Sequence, residues 1–123
     1  MKTFVYTDLH GNYNLFKQIQ NYLGENDRAI CLGDNCDRGP DGIKIIQETL
    51  KDNRIIYLQG NHEAMLVDAV RKSQNNGNIS FRMLDESDMD ILRYNGTIQT
   101  LQSLQLLPRK ERKHLIEQLE RLP

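Results

Sequence analysis

TFVYTDLHGN (3–12), RAICLGDNCDRG (28–39) and RIIYLQGNHE (54–63) carry the reading of this chain. Each opens with a run of aliphatic, β-branched or aromatic residues, TFVYT (3–7), RAICL (28–32) and RIIYL (54–58), which predicts a strand. Each run passes straight into a polar motif: DLHGN, GDNCDRG and GNHE. Between the runs the apolar spacing changes to that of helices. Leu15, Phe16, Ile19, Tyr22 and Leu23 mark a helix over 13–23, with Gly24 as its stop. Pro40 is placed to open a second helix carrying Ile43, Ile45, Ile46 and Leu50. A third runs through Ala64, Met65, Val67, Ala69 and Val70.

Strands alternating with helices imply βαβ crossovers and a parallel sheet, so the fold class is α/β. Ligands of such sheets bind outside the carboxyl ends of the strands. Three motifs at three strand ends therefore converge on one site. Beyond residue 73, SQNNGN (73–78) reads as a polar loop, and helices follow over 85–94, 97–106 and 108–122. No further strand is predicted after Leu58, so a mostly helical C-terminal part follows a βαβαβα unit.

The chain has 123 residues, 38% hydrophobic and 27% charged, which suits one globular domain. Residues 108–123 hold five Lys/Arg and three Glu, net +2, which leaves −3 for the rest of a chain whose total is −1. That balance gives no general attraction to nucleic acid or membrane, and the basic C-terminal segment reads as a solvated helix face. No apolar run reaches membrane-spanning length, and the N-terminus turns polar too early for a signal peptide, so a cytoplasmic location is expected. Cys31 and Cys36 fit neither a disulfide framework nor a zinc site.

The motifs carry donors. Asp8 and His10, two apart on an extended exit, can grip one ion from the same side. Gly33 permits a tight turn that brings Asp34 to the loop tip, where a carboxylate can bridge two cations. Arg38 offers a fork suited to phosphate oxygens. Asn61 can give a neutral carbonyl ligand. His62 suits general acid–base work, with Asp37 to fix its tautomer. Glu63 opens a helix and is assigned a structural role. Cys36 has no activating base nearby in sequence and reads as filler.

Taken in order, Asp8-Leu9-His10-Gly11, Gly33-Asp34-Asn35-Cys36-Asp37-Arg38-Gly39 and Gly60-Asn61-His62-Glu63 resemble the calcineurin-like metallophosphoesterases. The Asp-Arg-Gly and His-Glu endings, with Tyr94-Asn95-Gly96, Thr97 and Thr100-Leu101, resemble the phosphoprotein phosphatase branch. The resemblance implies the N-terminal half of a metallophosphoesterase sandwich and two divalent metal ions, Mn first and Fe, Zn or Mg as alternatives. It implies that Asp8 and His10 hold the first ion, that Asp34 bridges, and that Asn61 holds the second. It implies further that the ions activate water for in-line attack on phosphorus, that Arg38 clamps the phosphate, and that His62, paired with Asp37, protonates the leaving oxygen.

Family members continue past this point with two more strands, each bringing a metal-binding His, and with a further Arg. Residues 1–123 therefore read as a single, incomplete metallophosphoesterase domain with four of about seven metal ligands. A phosphorylated protein is the expected substrate. The alternatives are a diadenosine polyphosphate, or a non-catalytic fragment that binds metal or phosphate. Leu115, Ile116, Leu119 and Leu122 form an apolar stripe, expected either to fold onto the sheet or to stay exposed and drive homo-oligomer formation.

Overall fold

A computed structural model describes residues 1–123. Strands β1 (Thr3–Tyr6), β2 (Arg28–Cys31) and β3 (Ile55–Tyr57) form a parallel sheet in the order β1-β2-β3. Helices α1 (Tyr13–Tyr22) and α2 (Gly42–Lys51) make the crossovers. Successive strands step in one direction, so right-handed crossovers place both helices on one face. The aligned rows Phe4-Ala29-Ile55 and Tyr6-Cys31-Tyr57 turn toward the helices, and Ala29, Cys31, Ile55 and Tyr57 are buried there. The alternate row, Val5-Ile30-Ile56, lies on the other face, where Val5 is 61% and Ile56 52% exposed. The sheet thus has one packed and one open face.

Asn12 caps α1 by accepting from the Leu15 N–H at 3.1 Å. The second helix starts at Gly42, with Asp41 as N-cap, and not at Pro40 as the sequence predicted. The Asp41 N–H donates to Gly11 O, which ties this segment to the first strand-end loop before the helix begins.

Helix α3 (Asn61–Ser73) leads into a two-stranded antiparallel hairpin, β4 (Gln74–Asn75) and β5 (Asn78–Ile79). This corrects the predicted loop. Asn76 and Gly77 both take positive φ, 52° and 82°, as a two-residue hairpin turn of the Asn-Gly type demands. A single 3-10 turn (Phe81–Met83) precedes α4 (Glu86–Asn95), α5 (Thr97–Gln105) and α6 (Arg109–Glu120). Leu115, Ile116 and Leu119 are buried, and α6 packs on α3 and α5. The apolar stripe is therefore spent on helix packing; it neither covers the sheet nor stands exposed. Arg112 is also buried, so α6 is not simply a solvated basic face.

Candidate functional site

The first two strand-end loops are laced together by backbone hydrogen bonds, and the third packs against the second. Asp8 N donates to Gly33 O at 3.2 Å, His10 N to Asp34 O at 3.1 Å, and Gly11 N to Asn35 O at 2.8 Å. Gly33, at φ +99°, lies so close to Gly60 that any Cβ would overlap the Gly60 backbone. Asp8, His10, Asp34, Asp37 and Arg38 all have φ between 42° and 73°. Asp8 and His10 are thus not on an extended exit, as the sequence predicted, but on a left-handed turn. Left-handed backbone at non-glycine residues is disfavoured and collects where function requires it. Here it collects in two of the three motifs.

Nδ1 of His62 lies 2.6 Å from Oδ2 of Asp37. The carboxylate can only accept, so Nδ1 carries the hydrogen. Nε2 is then uncommitted, with the His62 ring edge-on to that of His10 at 4.7 Å between centroids. Asp37 is fully buried and further held from α5: Thr97 Oγ1 donates to Oδ2 at 2.8 Å and Thr100 Oγ1 to Oδ1 at 2.7 Å. Its own N–H donates to Thr100 Oγ1 at 3.1 Å.

The donors of Asp8 and His10 also come together. His10 Nδ1–H donates to Cys36 O at 2.9 Å, so in the neutral ring Nε2 presents a lone pair. That nitrogen is 3.3 Å from Oδ1 of Asp8. Two lone pairs at this distance repel unless a cation or proton lies between them. Ligands about 2.1 Å from one ion and this far apart subtend roughly 100° at it, an ordinary coordination angle. The pair therefore fits a divalent ion.

Asp34 Oδ1 accepts from His62 N at 2.9 Å, which seats the carboxylate at the N-terminus of α3. Asn61 is exposed, and its side chain makes no hydrogen bond within the protein. No three His, Cys, Asp or Glu side chains gather at metal-ligand spacing, so the four predicted donors form a close pair and two neighbours rather than a closed cage. Arg38 is exposed with its guanidinium unpaired, while its backbone N–H donates to Gly96 O at 3.2 Å. The residues about it, Arg93, Gly96, Gln99 and Gln102, border an open cleft.

Glu63 does more than favour the helix dipole. It is fully buried, and it accepts from Asp34 N (2.7 Å), Asn35 N (2.9 Å) and Tyr57 Oη (2.7 Å), fixing the loop after β2. Only its place in the GNHE motif hinted at this. Cys36 is buried, and burial, with Asp37 beside it, pushes its thiol well above the usual range, which removes it as a nucleophile.

The model of the calcineurin-like phosphoesterase family matches residues 1–118. The chain belongs to this family. It is similar to serine/threonine-protein phosphatase 2 of Escherichia coli (strain K12), 33% identical over 76 residues, which cover 59% of this chain and 34% of the relative. The protein of the same name in Salmonella typhimurium is 35% identical over 77 residues, with the same coverage of 59% and 34%. The match thus spans about a third of the length of these relatives. The family is one of phosphoesterases that use divalent metals. No helix is long and apolar enough to cross a membrane.

Proposed function

We propose that residues 1–123 form part of one metallophosphoesterase domain that hydrolyses phosphomonoesters, with serine/threonine phosphoproteins as substrates. The observation that carries this reading is the buried Asp37–His62 pair, which leaves Nε2 uncommitted and the ring edge-on to that of His10. The names of the two bacterial relatives favour a phosphoprotein over a diadenosine polyphosphate.

Asp8, His10 and Asp34 would hold one divalent ion, with Asp34 and Asn61 toward a second; Mn is the first choice for this mixed oxygen and nitrogen set. When bound, such ions supply Lewis acidity and make water a better nucleophile near neutral pH. Arg38 binds and orients the phosphate through its planar fork. Asp37 holds the His62 ring by Nδ1–H, so that in the imidazolium form the Nε2–H passes its proton to the leaving oxygen and the ring is left neutral. Thr97 and Thr100 keep the Asp37 carboxylate from turning away.

The test is hydrolysis of a phosphoserine peptide, an aryl phosphate and diadenosine tetraphosphate by the chain with Mn. Four donors hold the ions weakly, so turnover is expected to be low, greatest on the monoesters, and lost in His62→Ala and Arg38→Ala. Cleavage of the diadenosine compound alone would overturn the substrate assignment. Rapid monoester turnover unchanged in His62→Ala would overturn the site.

A further inference from the structure

The β4–β5 hairpin, the last turn of α3 and the first two turns of α6 enclose a cavity of about 270 Å3, and none of its lining residues belongs to the strand-end loops. Four cations line it: Arg71, Arg109, Arg112 and Lys113. Arg71 pairs with Glu120. The other two guanidinium groups meet only neutral oxygens: Arg109 bonds Asn76 O, and Arg112 bonds Gln105 O, Gly77 O and Asn78 Oδ1. Lys113 makes no hydrogen bond or ion pair.

Arg112 decides the matter, because it is only 7% exposed. A buried charge is disfavoured without a counter-charge, and carbonyl dipoles replace only part of the lost hydration. The C-terminus of α3 contributes about half a negative charge. Arg112 is one buried charge, and Arg109 and Lys113, exposed at the rim, add two more cations without a carboxylate partner. A phosphate monoester carries about −1.5 to −2 near neutrality and offers three acceptor oxygens, which matches the excess. The volume lies just below the roughly 300 Å3 at which ligand pockets begin, so the occupant is small. Ile79 and Ile116 supply an apolar wall.

We infer that this cavity binds a small phosphate-bearing anion, inorganic phosphate or a small phosphomonoester, separately from the strand-end site. Arg109 and Arg112 also hold the hairpin to α6, so anion binding and hairpin order are linked.

The experiment is an amide NMR titration of the chain in EDTA, which strips metal from the strand-end loops. Phosphate, and in a parallel arm O-phosphoserine, replaces chloride at constant ionic strength. Saturable shifts are expected at Gly77, Ile79, Lys113 and Ile116. Lys113→Gln, whose side chain bonds nothing in the protein, should weaken binding about tenfold while leaving the rest of the spectrum in place. Equal binding in both arms assigns the site to the phosphate group alone; tighter binding of O-phosphoserine adds the apolar wall. Shifts confined to the strand-end loops, shifts that chloride reproduces, or an unchanged affinity in Lys113→Gln would overturn the inference.

Discussion

Thr100 both gives and takes a hydrogen bond with Asp37: its hydroxyl donates to the carboxylate at 2.7 Å and accepts from the Asp37 N–H at 3.1 Å. Asp37 has no contact with water, so nothing outside the protein can replace either bond. Thr100→Val keeps the volume and removes both. It should destabilise the fold by about 2–3 kcal/mol, since two groups are left short in a dry site. Urea denaturation measures this, and a loss under about 0.5 kcal/mol would mean that Asp37 is held otherwise.

Glu63 gathers three donors with two oxygens. Glu63→Gln puts an amide N–H against one of them and should cost about 2–3 kcal/mol, while Tyr57→Phe, which removes a single donor, should cost about 1 kcal/mol. The expected order, Gln well above Phe, is read by thermal or urea unfolding. The reverse order would contradict the clamp.

Metal binding offers a more direct check on the loops. Titration calorimetry with Mn should show one weak site, lost in Asp8→Ala and reduced about tenfold or more in Asp34→Asn. Equal affinity in wild type and Asp34→Asn would remove Asp34 from the ligand set.

Acid should act through Asp52. The Arg54 guanidinium, bonded to it at 2.8 and 2.9 Å, holds its carboxyl below the usual carboxylate range. A folded value below the unfolded one means that the unfolded chain binds the proton first. The stability is therefore present above about pH 4 and is lost as pH falls through the lowered folded value. Asp52→Asn should be less stable than wild type at pH 7 by roughly 1 kcal/mol, and the gap should close on acidification below about pH 4. A gap that stays constant with pH would assign the loss to packing.

The two apolar surfaces respond oppositely to charge. Leu119 is fully buried where α6 meets α3 and α5, whereas Ile56 stands on the open face of the sheet. Leu119→Lys should cost about 4 kcal/mol or more and unfold the chain, whereas Ile56→Lys should change stability by less than about 0.5 kcal/mol. Circular dichroism with urea titration separates the two. A tolerated Leu119→Lys would return the stripe to the surface.

What could be read from the sequence is what local pattern determines. Three strands and the motifs at their ends stood out because the sheet delivers each motif within a few residues of its strand. The Asn76-Gly77 hairpin was written in the sequence too, but its strands are two residues each and polar, with no alternation to announce them. The grip of Glu63 on Asp34 and Asn35 spans 29 and 28 residues, beyond any spacing rule. The left-handed turns at Asp8 and His10 follow from loops pressed against one another, which no single segment encodes. The burial of Arg112 likewise depends on the β4–β5 hairpin, whose turn it bonds.

The bonds from Thr97 and Thr100 to Asp37 cross 60 and 63 residues of chain. All seven candidate metal and catalytic residues are present by position 62, but the clasp that orients their histidine arrives only with α5. A nascent or partly folded chain, with its sheet formed and its C-terminal helices still undocked, would carry the full set of motifs around a slack carboxylate. Closing loops of this length is entropically demanding. The alignment of His62 and the docking of α5 are therefore gained and lost together, although the two lie far apart in the chain.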